Sequence, residues 1–270
     1  MSSRDKTVVA FDLYGTLLST ESIAKELASH FGNDRAQAIA TLWRRYQLEY
    51  TWRLNSMNLY KPFNDITLTS LQHALAESKE SLSEHDIKQL MRAYDSLAIF
   101  PDVKPALQAL ADNDAIDAYV FSNGTDAMVG SSVRTSPDLS PHASVFKDLI
   151  TVEPVRAFKP DPRVYRHLVE QVGKSSARKE DVASVWLVSG NSWDVVGARA
   201  VGLHAAWVDR AGNGWSERLG VLASGGPTVI VKGVEEVVGA IEKWIGESGE
   251  NQERGVSAGL NQAPAAMGPG

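Results

Sequence analysis

Two aspartates far apart in the chain, Asp12 and Asp194, stand in settings that suit carboxylate chemistry. Asp12 closes the apolar run that starts at Thr7 and leads into Leu13-Tyr14-Gly15-Thr16, while Asp194 follows Val188-Ser189-Gly190-Asn191-Ser192-Trp193. Between them in sequence lie Ser122-Asn123-Gly124, then Phe158-Lys159-Pro160-Asp161-Pro162 with Tyr165 about a turn further on. An ionised, partly dehydrated carboxylate can act as a nucleophile or as a general base. A neighbouring ammonium keeps it ionised, and is needed most where a second carboxylate comes close and would push one pKa upward. Asp12, Thr16, Ser122, Lys159 and Asp194 therefore form a candidate constellation if the fold brings them together. Taken singly, each has an ordinary explanation. Asp12 and Ser122 could cap helices, Asn191 could cap a helix from Trp193 to Val201, and Lys159 to Pro162 could be a turn with proline at the first helical position.

The elements that must position these residues are legible as apolar runs. Thr7 to Leu13 reads as a buried parallel strand running into a glycine turn. From Phe100 onward, Ala115–Ser122, Asp148–Val152, Ala183–Val188, His204–Asp209 and Thr228–Val231 read as further strands separated by helical stretches, which is βαβ spacing. Right-handed crossovers then give an α/β, doubly wound, Rossmann-like and mostly parallel sheet. Ligands bind beyond the carboxyl ends of such strands, where the polar residues fall. The segment from about Ser22 to Leu97 has helical patterning, clearest at Ile87, Leu90, Met91, Tyr94 and Leu97. It reads as an inserted helical cap domain over 19–99, hinged near Leu18–Ser22 and Phe100–Val103. Residues 1–18 and 100–246 then form the core. The segment 247–270 is poor in large apolar residues and reads as a disordered tail.

The order of these four motifs, from about Val8 to Asp209, resembles that of the haloacid dehalogenase superfamily. Phosphatases of that superfamily usually carry Asp-x-Asp-x-Thr in the first motif, where the second acid protonates the leaving alkoxide. Here Phe11-Asp12-Leu13-Tyr14-Gly15-Thr16 has tyrosine at that place, a loss that makes sense for a halide leaving group, which needs no proton. The motif resembles the L-2-haloacid dehalogenase branch, and so does Leu42-Trp43-Arg44-Arg45-Tyr46-Gln47-Leu48-Glu49-Tyr50-Thr51-Trp52 in the cap. Two positions depart from the branch pattern. Gly190 stands where a second serine is common, and Arg45 where the residue is commonly neutral.

The resemblance implies that Asp12 attacks the halogen-bearing carbon of a short 2-haloacid and forms an aspartyl ester, with no metal or other cofactor. Arg44, Asn191 and Trp193 are then the halide or substrate contacts. Ser122, Asn123 and the backbone N–H groups of Leu13 and Tyr14 would hold the substrate carboxylate. Lys159 keeps Asp12 ionised, Tyr165 orients the charged pair, and Thr16, Ser189 and Asp194 position the water that opens the ester. Leu48, Met57, Tyr60 and Phe63 either line the pocket or pack the cap, and Trp43 and Trp52 are candidates for a homodimer surface.

The 270 residues carry a formal net charge of −6, which disfavours nucleic acid or an anionic membrane as a partner and suits a small soluble substrate. The absence of cysteine removes thiol nucleophiles and thiolate metal sites and is compatible with a reducing cytoplasm. No stretch approaches the roughly 18 apolar residues of a membrane span. Two rival readings stand beside the dehalogenase: a magnesium-dependent phosphatase of the same superfamily, and a non-catalytic protein that captures small carboxylates.

Overall fold

The computed structural model describes residues 6–260, with side chains described for 6–248. Among these the strands are β1 (Thr7–Asp12), β2 (Ile116–Ser122), β3 (Phe146–Thr151), β4 (Val185–Ser189), β5 (His204–Val208) and β6 (Val229–Val231). They form one parallel sheet in the order β3-β2-β1-β4-β5-β6. The central strands explain the continuous apolar runs. Val8, Val9, Ala10 and Phe11 on β1 and all five residues of β4 are buried, because helices cover both faces of such a sheet. The strand order reverses beside β1, so the crevice past the carboxyl ends of β1, β2 and β4 is the natural ligand position. The register puts Asp12 opposite Phe121 and Phe11 opposite Val188, so the last residues of these three strands sit at one level.

Helices α1 (Ala24–Phe31), α2 (Asn33–Ser56), α3 (Phe63–Glu77) and α4 (Glu84–Tyr94) occupy the stretch after β1. On α2 the buried residues Ala36, Ile39, Ala40, Trp43, Tyr46, Gln47 and Thr51 recur at helical spacing, and that face packs against α3. Gly32, with φ +75°, makes the turn from α1 into α2. The remaining helices are α5 (Val103–Ala111), α6 (Asp126–Arg134), α7 (Pro162–Gln171), α8 (Lys179–Ala183), α9 (Ser192–Val201), α10 (Leu219–Ala223) and α11 (Val237–Leu260).

The two crossings between the sheet and α1–α4 lie side by side. Leu18 and Ile99 form an antiparallel bridge, Ser19 N–H donates to Ala98 O at 2.8 Å and Phe100 N–H to Leu17 O at 3.2 Å. Beside them Arg210 is bidentate to Asp102, with Nη2 at 2.8 Å from Oδ2, and also donates to Thr16 O at 2.7 Å. That cation ties the loop after β1 to the start of α5.

Several sequence expectations need correction. The third strand begins two residues before Asp148, at Phe146, and Ala183 ends α8 rather than opening a strand. Trp43 is buried rather than on a surface, because its indole N–H donates to Thr67 O on α3 at 2.8 Å. The expected tail from 247 is helical as far as Leu260, where α11 ends. The helix is nucleated where Val237 and Ile241 pack into the core, so this stretch extends existing turns rather than starting a new one. Residues 261–270 lie outside the described residues.

Candidate active site

The carboxylate of Asp12, at the end of β1, receives three donors. Lys159 Nζ approaches Oδ1 at 3.0 Å, while Thr16 Oγ1 donates to Oδ2 at 2.6 Å and Asn191 Nδ2 to Oδ2 at 2.9 Å. The direction of the Thr16 bond is fixed locally, since Gly190 N–H donates to Thr16 Oγ1 at 2.9 Å and leaves its proton for Asp12. Asn191 is the N-cap residue of α9, yet its side chain makes no capping bond. Its amide instead spans from Asp12 to Tyr14 O, at 3.0 Å. Functional geometry thus displaces the ordinary cap.

Lys159 is fully buried, and its Nζ also donates to Asp194 Oδ2 at 2.9 Å and to Phe121 O at 2.8 Å, over the face of the Phe121 ring. Its backbone N–H donates to Asn123 Oδ1 at 2.9 Å, and the turn ends as the sequence suggested, with Asp161 capping α7 and Pro162 at its first position. Burial pushes the Lys159 ammonium down, but Asp12 and Asp194 outweigh it and hold the pKa above the ordinary lysine value. Asp194, also fully buried, is displaced upward by burial and by the Asp12 charge, with Lys159 opposing. Its second oxygen accepts the Tyr165 hydroxyl at 2.7 Å. Tyr165 is therefore both core aromatic, edge-on to Phe121, and partner of Asp194. Burial first and Asp194 second raise its own pKa, so it remains a donor.

Arg44 reaches the site from α2. Its Nη2 donates to Tyr14 O at 3.1 Å and its Nη1 to Gln47 Oε1 at 2.7 Å. Tyr14 O therefore collects donors from both Arg44 and Asn191, so two cationic or polar N–H groups converge on one point beside Asp12. Arg45 points away, exposed and paired with Glu49 at 3.0 Å. Tyr14 is buried and stacks near Phe63 and Tyr94, with centroids 5.9 and 5.7 Å away. Burial raises its phenol well above the ordinary value.

The other candidates sit at the margin. Leu13 and Ser122 are buried, and Ser122 Oγ accepts Gly124 N–H at 3.1 Å. Ser189 Oγ accepts Asn191 N–H at 3.1 Å and so shapes the turn that carries Asn191. Trp193 packs edge-on against Trp52 of α2. Of the possible pocket residues, Phe63 is buried and stacks near Tyr14, Tyr60 stacks on Phe158, and Met57 is 57% exposed.

Sequence reasoning missed two groups here. Gln47 holds Arg44 and is itself fixed by Tyr94 and Thr67, at 3.0 and 2.8 Å; its place three residues after Arg44 on one helix face was the available signal. Gly190 was noted only as a departure. A Cβ there would meet Gly15 O at 2.6 Å, and Gly15 itself has φ +88°, so the two glycines let the loops after β1 and β4 touch.

A family model describing haloacid dehalogenase-like hydrolases matches residues 6–202. The (S)-2-haloacid dehalogenase of Pseudomonas sp. (strain YL) is 33% identical over 212 residues, covering 77% of this chain and 85% of that protein. The (S)-2-haloacid dehalogenase H-109 of Pseudomonas putida is 37% identical over 204 residues, covering 76% and 86%. Among solved structures, the L-2-haloacid dehalogenase of Xanthobacter autotrophicus with chloropropionic acid covalently bound superposes with a TM-score of 0.73 at 26% identity, covering 86% of this chain and 96% of that one.

Proposed function

The chain belongs to the haloacid dehalogenase-like hydrolases, and from that premise we propose that it is an (S)-2-haloacid dehalogenase that works through an ester on Asp12. The observation that carries this reading is the unequal occupation of the Asp12 oxygens. Oδ2 accepts two hydrogen bonds and Oδ1 one, from Lys159. Oδ1 therefore keeps a lone pair for attack while Oδ2 is held in place. The Oδ1 lone pair attacks C2 of the haloacid from behind, and the carbon–halogen bond breaks with its electrons leaving on the halide. Arg44 and Asn191, already converging beside Asp12, stabilise that charge as it grows.

The resulting ester is opened by water at the Asp12 carbonyl carbon. Charge then develops on Oδ2, where the Thr16 hydroxyl and Asn191 amide already point. Asp194 is the carboxylate that remains once Asp12 is esterified, and it takes the proton of that water, its pKa displaced upward by burial, while Ser189 holds the turn that carries Asn191. The bond from the acyl carbon to the substrate oxygen breaks, Asp194 returns the proton it took from water to the departing oxygen, and the product hydroxyl carries the former Oδ1. Carbon is attacked once, which converts an (S)-2-haloacid into an (R)-2-hydroxyacid. Leu13, Tyr14, Ser122, Asn123 and Trp193 enclose the substrate carboxylate and side chain. Tyr14 cannot serve as the acid of the phosphatase motif, since its phenol is buried and holds its proton.

In the same reading residues 19–99 are a cap and 1–18 with 100–246 a core, joined where Leu18 meets Ile99. The enzyme is a homodimer that covers exposed apolar residues such as Trp52, Met57 and Leu59. It works in the cytoplasm, which suits a chain without cysteine. Among the described residues no helix is long and apolar enough to cross a membrane.

A single turnover in ¹⁸O water with enzyme in excess over 2-chloropropionate tests the ester. The expected result is unlabelled 2-hydroxypropionate and heavy oxygen in the peptide containing Asp12. Labelled product with an unlabelled peptide would mean direct attack by water.

A further inference from the structure

Lys159 is inserted between two carboxylates from a loop whose backbone is held by the helical insert. Asn55, in the last turn of α2, lies 103 positions from Phe158, yet its Nδ2 donates to Phe158 O at 2.7 Å and its Oδ1 accepts Phe158 N–H at 3.0 Å. One side-chain amide thus takes both backbone polar groups of the residue just before Lys159. A single bond would fix distance and leave the peptide free to rotate about it. Two antiparallel bonds fix direction as well, as a neighbouring strand would. The next backbone group, Lys159 N–H, goes to Asn123 of the core at 2.9 Å. Three consecutive backbone groups are therefore anchored, two by the insert and one by the loop after β2.

The surrounding contacts join the same two pieces. The Phe158 ring stacks on Tyr60, just past α2, at 5.2 Å, and the Arg156 guanidinium lies over the Tyr60 ring at 5.3 Å. Asp12 is 5% exposed and Lys159 and Asp194 are 0% exposed. At that exposure a substrate could reach Asp12 through an opening between insert and sheet. Parting them withdraws the Asn55 amide from Phe158 while leaving the Asn123 bond intact.

We propose that Asn55 is a positioning residue which makes the placement of Lys159 conditional on the docking of the helical insert. With the insert lifted, the Phe158 peptide loses two of its anchors and the Lys159 side chain slackens. With it docked, the ammonium is returned to Asp12 and Asp194. Enclosure of the substrate and readiness of the nucleophile are thereby one event. The inference rests on the reading of Asp12 as nucleophile.

The test compares Asn55→Ala, Asn55→Asp and Arg53→Ala with the wild type, using 2-chloropropionate. Asn55→Asp keeps an acceptor for Phe158 N–H but sets a carboxylate against Phe158 O, so it separates a two-bond requirement from a one-bond one. Arg53 is an exposed neighbour and controls for disturbance of the helix end. Both Asn55 variants are expected to lose about tenfold or more in kcat with KM changed much less, as for lost preorganisation. Arg53→Ala should keep the wild-type kcat. The charged and titratable groups facing Lys159 are Asp12 from β1, Asp194 from α9 and Tyr165 from α7. A slack Lys159 leaves the carboxylates less compensated, so the acid limb of the pH–rate profile should move to higher pH in the Asn55 variants.

A merely structural Asn55 would lower the melting temperature and leave kcat and the acid limb in place, which would overturn the proposal. Amide exchange at Lys159 gives a readout independent of turnover. It should accelerate at least about tenfold in Asn55→Ala, although the acceptor of that amide, Asn123, is untouched. Unchanged exchange there would also overturn the proposal. Absence of halide release by the wild type itself would instead refute the dehalogenase reading, with exchange still judging the coupling.

Discussion

Lys159→Met removes the charge at the centre of the site while keeping a long apolar stem. The ammonium stands 3.0 Å from Asp12 and 2.9 Å from Asp194, with its side chain 1% exposed. At an effective dielectric of about 20, each contact corresponds to about 5 to 6 kcal/mol of attraction before desolvation. Desolvation of all three charges cancels much of that, and breaking such a buried set by deleting one member costs about 3 to 5 kcal/mol. The cost should depend on pH. Asp194 is already displaced upward by burial and by Asp12, and Lys159 is what opposes this. Without the ammonium its folded pKa rises further above the unfolded value. A carboxylate raised on folding binds protons more tightly in the folded state, so the variant regains stability as pH falls through that raised pKa. In the wild type, Lys159 is raised on folding. Its contribution is therefore fully present below the unfolded lysine pKa of about 10.4 and is lost only as pH climbs through the folded value. The deficit in melting temperature should thus be large at about pH 8 and shrink towards about pH 5, within the window where the carboxylates protonate. Halide release should fall at least about 10³-fold at neutral pH, since the ammonium that holds Oδ1 of Asp12 in place and offsets the second carboxylate is gone. Thermal melts across pH, with halide release on the same samples, read both effects. A pH-independent deficit, or activity within a factor of a few of wild type, would refute the reasoning.

Asp12→Asn should abolish turnover and also cost about 1 to 3 kcal/mol, because its new NH₂ must face a donor on whichever side of the site it lies. Denaturant melts check the second part, and an undiminished stability would show that the three donors are not aimed as described. Arg44→Ala should lower kcat more than it raises KM, since halide charge grows only as the bond breaks. A pure rise in KM measured by steady-state kinetics would make Arg44 a carboxylate anchor instead. Gly190→Ala should cost about 1 to 3 kcal/mol, as overpacking does. Its Cβ would stand 2.6 Å from Gly15 O, and the shift would disturb the bond from Gly190 N–H to Thr16. A stable, fully active variant would show that the two loops separate freely.

The family relationship and most of the sheet were legible in the sequence, because a strand buried on both faces writes a continuous apolar run and its end shows as the first polar residue. Thr7 to Asp12 and Val185 to Ser189 read in this way, and so Asp12, Lys159, Asn191 and Asp194 could be singled out as strand-end or loop groups. Helical spacing likewise placed Arg44 and Arg45 on different faces of α2. These features are local, set by backbone period and by burial of the segment itself. Tertiary structure alone decided which groups meet. It made Asn191 a donor to Asp12 in place of a cap, gave Tyr165 to Asp194, buried Trp43 against α3, and carried Asn55 across 103 positions to Phe158. A sequence states which face of an element is apolar, whereas the partner on that face is fixed by the packing of the whole chain, where each contact depends on all the others.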